Sequence, residues 1–319
     1  MEDIKSLFQV LQKYYNLKRL LKFHFLVLIF LSCSDSDDDY VIIDDNSNWT
    51  QKEFKMNYDG LERVYILYKP KNFSENAPLV MMLHGYSSNR NNILSYSQMN
   101  SIADRNGFMV CYPQGSITPL TGQTHWNANL QMSDVNDIGF LSNLVSNIQQ
   151  QYKTSKENVF VSGMSNGGFM SYTLGCEKSD IFKAVASITG TMSGYDWQNC
   201  SPAYKIPILQ MSGTNDLTVP WDGTMNTALG WGGAPHILEV MEFWSDLNNC
   251  IEDEIINFPD VDKTDYSTVS LTKKKGGSYD NEVWFYKVDG GGHDWPGAWG
   301  NQDINASEEI WKFFKKHLN

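Results

Sequence analysis

Arginine is scarce in this chain of 319 residues: only Arg19, Arg63, Arg90 and Arg105 occur, against a formal net charge of −12 and a pI near 4.9. Recognition of a phosphate backbone needs a basic surface and guanidinium forks, so nucleic acid is excluded as a partner. Long apolar runs are also missing. The stretch from Phe23 to Leu31 falls far short of the ~20 residues that cross a bilayer. Five cysteines are too few for a disulfide-built scaffold. No internal repeat is present, and no second linker divides the chain. Histidine is sparse as well, six in all, and only His236, His293 and His317 lie beyond residue 165.

What is present suffices for one large core. The chain is 41% hydrophobic and carries 16 Tyr, 16 Phe and 10 Trp. Residues 1–33 read as an export signal: Lys18, Arg19 and Lys22 precede the apolar run, and Ser32-Cys33 follows it. The sequence ending at Cys33 resembles a bacterial lipobox, with Phe30 where Leu is usual. That resemblance implies cleavage before Cys33, lipidation of Cys33, and attachment to the outer membrane or cell surface of a Gram-negative bacterium by this lipid alone. The alternative is an ordinary cleaved signal. Residues 34–50, rich in Asp, are expected to form a disordered acidic linker. Residues 51–319 then form the folded domain. Export permits disulfides, and Cys200 with Cys250, both in polar loop or helix-end contexts, is the expected pair. Cys111, within Phe108 to Tyr112, is expected to be a buried free thiol.

Short apolar runs predict strands over Phe54–Tyr58, Arg63–Lys69, Leu79–Leu83, Phe108–Tyr112, Val159–Ser162, Ala184–Ile188, Ile206–Met211 and Val283–Val288. Helical spacing predicts helices over Asp137–Tyr152, Gly167–Cys176, Ile237–Leu247 and Ser307–His317. The first two strands flank Asp59-Gly60, a hairpin signal. The alternation that follows predicts an α/β fold: a mostly parallel central sheet with helices on both faces and active loops at the carboxyl ends of the strands.

The motif with the most chemistry in it is Gly163-Met-Ser165-Asn-Gly167-Gly168, between a predicted strand and a predicted helix. In that setting a G-x-S-x-G run is a sharp turn that exposes a serine hydroxyl at a helix N-terminus. A serine nucleophile needs a base, and the base needs a carboxylate to orient it. His293, in Gly290-Gly-Gly-His293-Asp-Trp-Pro-Gly after a strand, is the candidate base, with His236 the alternative. Asp216, after Ser212-Gly-Thr-Asn, is the candidate acid, with Asp222 as competitor. His84-Gly85-Tyr86 follows the Leu79–Leu83 strand. The backbone N–H groups of Tyr86 and Asn166 are therefore the candidate oxyanion donors. His84 itself reads as a buried residue shaping that loop. Asp137 reads as structural, at the start of its helix.

Taken with Tyr112-Pro-Gln-Gly115, Trp126-Asn127, Asn136-Asp137, Val219-Pro-Trp-Asp-Gly223, Trp244 and Asn249-Cys250, these motifs resemble the polyhydroxybutyrate depolymerase and feruloyl esterase family over about residues 55–319. The resemblance implies the α/β-hydrolase fold, secretion, no metal and no organic cofactor. It also implies hydrolysis of a carboxylic ester, whether a feruloyl or acetyl ester on plant polysaccharide, a short polyester or a simple ester; the tryptophans Trp126 and Trp295 and the lipid tether favour feruloyl or acetyl esters on plant polysaccharide fragments over a polyester. Other members often have Thr at the position of Asp294. Trp126 and Trp295 are expected to flank the cleft and bind a sugar or phenolic ring. A serine peptidase and a polysaccharide-binding lipoprotein without turnover are the other readings.

Overall fold

The computed structural model describes residues 49–224 and 233–319. Cys33, the export signal and residues 34–48 of the expected linker lie outside the described residues. Trp49 and Thr50, expected in that linker, already belong to the fold. The Trp49 ring packs edge-on against Phe54 and Tyr152, and the Thr50 carbonyl accepts from the Lys69 amide at 2.7 Å.

Along the chain the elements are β1 (Gln51–Tyr58), β2 (Leu61–Tyr68), β3 (Leu79–Leu83), α1 (Arg90–Ser97), α2 (Met99–Asn106), β4 (Met109–Pro113), β5 (Ser116–Ile117), β6 (Thr124–His125) and α3 (Asp137–Tyr152). They continue with β7 (Val159–Met164), α4 (Asn166–Glu177), β8 (Ala184–Ile188), α5 (Gly194–Asn199), β9 (Ile208–Gly213), α6 (Ile237–Asn248), β10 (Glu252–Asn257), β11 (Thr268–Lys275), β12 (Val283–Asp289) and α7 (Ala306–Lys316). Ten strands form one sheet in the order β1-β2-β4-β3-β7-β8-β9-β12-β11-β10. The six from β4 to β12 pair in parallel, and an antiparallel pair flanks them on each side. This is the α/β-hydrolase arrangement.

Alternation along each buried strand divides the core in two. Leu79, Met81 and Leu83 of β3 face one layer with Phe140, Leu144 and Ile148 of α3 and Val240 and Trp244 of α6. Val80 and Met82 face the other with Ile93, Met99 and Ile102 of α1 and α2 and Ile310, Phe313 and Phe314 of α7. The helices cap as their sequences dictate: the Asn136 side chain accepts from the Gly139 amide, and Asn305 accepts from the Glu308 amide.

Two strands escape the hydrophobic pattern. Strand β10 is Glu252-Asp-Glu-Ile-Ile-Asn, and β11 ends in three lysines. Their register sets Glu252 opposite Lys275, Asp253 opposite Lys274 and Glu254 opposite Lys273, so they pair through a charge ladder at the sheet edge. A charged edge also discourages pairing with another chain.

The expected disulfide is corrected. Cys200 bonds Cys176, with Cα atoms 5.0 Å apart, and Cys250 keeps a free thiol. Helix α5 returns from the end of β8 onto α4, which brings Cys200 to the last turn of α4. Cys250 follows α6, where its sulfur faces the Asn281 carbonyl. Cys111 is a buried free thiol, as expected, and burial pushes its pKa up. Peptide mapping without reduction should recover Cys176 linked to Cys200, and Cys176→Ala should cost about 2–4 kcal/mol of stability. A Cys200–Cys250 peptide would contradict this connectivity.

Candidate active site

Three strand ends carry the site. Strand β7 ends at Met164, and Ser165 starts the turn into α4 with φ 53° and ψ −119°. That left-handed backbone is costly for a residue with a side chain, about 1–3 kcal/mol, and survives where its surroundings fix it. The Ser165 amide donates to the Ile188 carbonyl of β8 at 2.8 Å. Close backbone approach then explains the glycines. A Cβ on Gly163 would lie 2.3 Å from the Gly167 carbonyl carbon, and one on Gly167 would lie 2.2 Å from the Leu83 carbonyl oxygen of β3.

The loops after β9 and β12 are laced together. The Thr214 amide donates to the Val288 carbonyl at 3.0 Å, and the Asn215 amide to the Gly291 carbonyl at 2.8 Å. The lacing sets the buried Asp216 beside His293, whose Nδ1–H donates to Asp216 Oδ2 at 2.7 Å. The other Asp216 oxygen accepts from the Thr218 and Val219 amides, both at 2.8 Å, which fixes the carboxylate. Nδ1 is thereby engaged, and among the described residues Nε2 has no hydrogen-bond partner. Ser165, His293 and Tyr86 line one cleft of about 450 Å³, together with Gly85, Ser88, Asn92, Ser95, Tyr96, Met164 and Trp299.

The competing residues lie elsewhere. Asp222 is exposed and accepts from the Thr224 amide and hydroxyl, capping a turn; the Thr224 hydroxyl bond leads the effects that hold its carboxyl below the usual range. His236 caps α6, accepting from the Leu238 amide at 3.1 Å. His317 is buried at the C-cap of α7. Asp294, beside the imidazole in sequence, folds back to accept from the Gly292 amide at 2.9 Å.

His84 is buried, and its partners assign its tautomer. Nε2 accepts from the Gly115 amide at 2.9 Å, so the proton sits on Nδ1 and is donated to the Gly85 carbonyl at 2.8 Å. Burial pushes its pKa down to about 4. Asp137 is structural: Oδ1 pairs with the buried Arg63 at 2.6 Å, and Oδ2 accepts from the Asn127 amide at 2.8 Å.

Neither expected tryptophan reaches the cleft. Trp126 is wholly buried; its indole N–H donates to the His84 carbonyl. Trp295 is 1% exposed, packs on Tyr96 and donates to the Ser307 hydroxyl. The aromatic wall is made by Tyr86, Tyr96 and Trp299. Trp299 was discoverable in principle, since it sits six residues past His293 in the same glycine-rich loop. Tyr96 belongs to α1, a polar helix that the apolar pattern does not mark.

The family model described as "Esterase PHB depolymerase" matches residues 63–210, from β2 to β9. Over those residues the chain is similar to this family. It is 27% identical over 237 residues to feruloyl esterase B of Piromyces equi, covering 72% of this chain and 42% of that protein. It is also 27% identical over 256 residues to a probable feruloyl esterase C of Aspergillus flavus, covering 79% and 84%. The chain spans less than two thirds of the length of several curated relatives, the Piromyces equi enzyme among them. Among solved structures, an acetyl xylan esterase from Aspergillus awamori superposes with a TM-score of 0.58 at 15% identity, covering 83% of this chain and 99% of that one. That likeness supports the fold.

Burial of His84 has a consequence for stability. An unfolded histidine titrates near ~6.5, whereas folded His84 stays neutral down to about 4. Between those values the unfolded chain binds the proton and the folded chain does not, so stability falls as pH drops through this window. His317, pushed by burial to about 3, acts with the same sign. Urea midpoints of His84→Gln should decline less steeply than wild type from pH 6.5 to 4. Parallel declines would mean that His84 does not titrate as described.

Proposed function

We propose that this chain is an exported serine esterase. The observation that carries the reading is the cleft shared by Ser165 and His293, with the Asp216 carboxylate bound to the far nitrogen of the imidazole. In this mechanism Ser165 Oγ attacks the ester carbonyl while His293 Nε2 takes its proton. The buried Asp216 holds the ring in the tautomer that presents Nε2 and stabilises the imidazolium as it forms. The carbonyl oxygen, now an oxyanion, is met by the Tyr86 and Asn166 amides, Asn166 being the first residue of α4. Collapse expels the alcohol, which takes the proton from His293. Water, deprotonated by the same ring, then releases the acid and restores Ser165.

The proposed substrates are feruloyl or acetyl esters on plant polysaccharide fragments. Tyr86, Tyr96 and Trp299 offer faces and edges to a planar or sugar ring, and Ser88, Asn92 and Ser95 offer hydroxyl and amide partners at the same wall. Relatives named feruloyl esterase and acetylxylan esterase support the same choice. Two substitutions test the site. Ser165→Ala should abolish hydrolysis with the fold intact, and Asp216→Asn should lower kcat by about a thousandfold or more. If Asp222→Asn were the more damaging change, the acid would be misassigned. A third tests the wall: Trp299→Ala should raise KM for a feruloylated sugar about tenfold while moving that for p-nitrophenyl acetate little. Equal effects would sink the ring subsite, and rapid hydrolysis of polyhydroxybutyrate with no action on feruloyl or acetyl sugars would favour a polyester substrate.

Export and anchoring rest on sequence. We propose that Cys33 is lipidated and that residues 34–48 tether the domain outside the cytoplasm. Cys33→Ser should release the protein from membranes or leave its precursor uncleaved. Undiminished membrane association of that variant would remove the anchor.

A further inference from the structure

Trp126 is one of the largest fully buried side chains in the molecule, yet it does more than fill space. Its polar contacts go to both sides of Ser165. On one side is Asn166, directly after the serine. The Asn166 Oδ1 accepts from the Trp126 amide at 2.7 Å, and its Nδ2 donates to the Trp126 carbonyl at 3.0 Å, a reciprocal clamp between a side chain and one backbone residue. On the other side is the loop after β3. The indole Nε1–H donates to the His84 carbonyl at 2.9 Å, and the two rings lie 5.1 Å apart.

His84 extends the contact by one peptide. Its Nδ1–H donates to the Gly85 carbonyl at 2.8 Å, and the Ser88 amide donates to the same oxygen at 3.2 Å. That carbonyl belongs to the Gly85–Tyr86 peptide. A trans peptide is planar, with its N–H opposed to its C=O, so holding the Gly85 oxygen fixes the direction of the Tyr86 N–H. The Asn166 amide is fixed in a different way. It lies in the first turn of α4, where amides lack an intrahelical acceptor, and the side chain of the same residue is clamped to Trp126.

We propose that Trp126 is a positioning residue that, with His84, sets the separation and direction of the Tyr86 and Asn166 amides and so preorganises the oxyanion site. The inference rests on the serine mechanism proposed above. It gives Trp126 a role in the chemical step, with no contact to substrate. Donors that are preset cost no reorganisation when charge develops, and displacement of a reacting group by about 1 Å can cost about 100-fold in rate.

The test uses the full chain with p-nitrophenyl acetate as substrate and an aryl trifluoromethyl ketone as inhibitor. Ser165 Oγ adds to the ketone carbonyl, the carbon–oxygen π electrons move to the oxygen, and the serine proton passes to His293. The adduct therefore carries the charge that the two amides would meet. Trp126→Phe keeps the ring and the backbone clamp but deletes the indole N–H. It should lower kcat about 10–100-fold with KM within about twofold, and raise the inhibition constant of the ketone by the same factor as kcat/KM falls. Asn166→Ala, which leaves the indole in place, should behave alike, and it decides the matter if Trp126→Phe fails to fold. Unchanged kcat, or a fall in kcat without weaker ketone binding, overturns the brace. Hydrolysis that survives Ser165→Ala in the otherwise native chain would instead overturn the serine mechanism.

Discussion

The first turn of α4 lies so close to β3 that only glycine fits at the contact. Gly167 approaches the Leu83 carbonyl at a distance that no Cβ could occupy, and Gly163 stands in the same relation to Gly167. On the far side, a Cβ on Gly190 would lie 2.7 Å from the Ser165 carbonyl, so the loop after β8 closes on the turn as well. The placement of the serine follows from this three-sided contact. It forces Ser165 into a left-handed backbone, brings its hydroxyl to the cleft and sets the helix N-terminus beneath it. It also brings the end of β3, with Gly85, against the serine: a Cβ on Gly85 would be 3.5 Å from that of Ser165. The strain at Ser165 is offset by the burial of β7 between β3 and β8, where every residue is buried.

A second constraint works from a greater distance. Arg63 and Asp137 form an ion pair with both side chains almost fully buried, and the guanidinium lies 3.7 Å over the Phe140 ring. Such a pair contributes little to stability once the desolvation of both charges is counted, so its value is sought in specificity. Its free valences point to an answer. Arg63 donates to the Gln114 carbonyl, and the Gln114 side chain donates to His84 Nε2. Asp137 accepts from the Asn127 amide, next to Trp126. The ion pair therefore fixes the two segments, 114–115 and 126–127, that enclose His84. A hydrophobic pair of equal volume could fill the space without presenting these acceptors and donors.

Much of this was legible in the sequence, for a physical reason. Buried parallel strands are short apolar runs and their helices repeat at helical spacing, so Asp137–Tyr152 and Ala184–Ile188 were read with their observed bounds. The nucleophile turn announces itself through its glycines, and the loop with His293 through its own. The edge strand β10 and its neighbour β11 were illegible because they pair through a charge ladder and their sequences carry few apolar residues. Helix α5 was missed because six residues carry too little periodicity, and without it Cys200 could not be set beside Cys176. The tryptophans failed for a related reason. An indole near a catalytic motif suits a ring subsite and a loop brace equally well, and only the partner of its N–H tells the two apart.

That distinction bears on how specificity can vary in such a site. Trp299 and His293 sit on one loop, turned by Gly297 and Gly300 at φ 85° and 72° and held where the Asp294 carboxylate closes on Gly300. His293 is anchored upstream, through the lacing of Gly290 and Gly291 to Thr214 and Asn215 and through Asp216. Trp299 is anchored downstream, by its edge contact with Tyr96 and by its N–H, which donates to the Trp295 carbonyl. Two separate sets of contacts thus fix the His293 imidazole and the aromatic wall beside it. Substitution at the wall can reshape the cleft without moving the imidazole, whereas any change in Trp126 acts on the charge-binding side of the serine. A site with these parts divides its labour by loop. In the proposed mechanism residues 84–86 with Trp126 and Asn166 hold the donors, 213–216 with 288–293 hold the base, and 295–300 with α1 hold the substrate-facing surface.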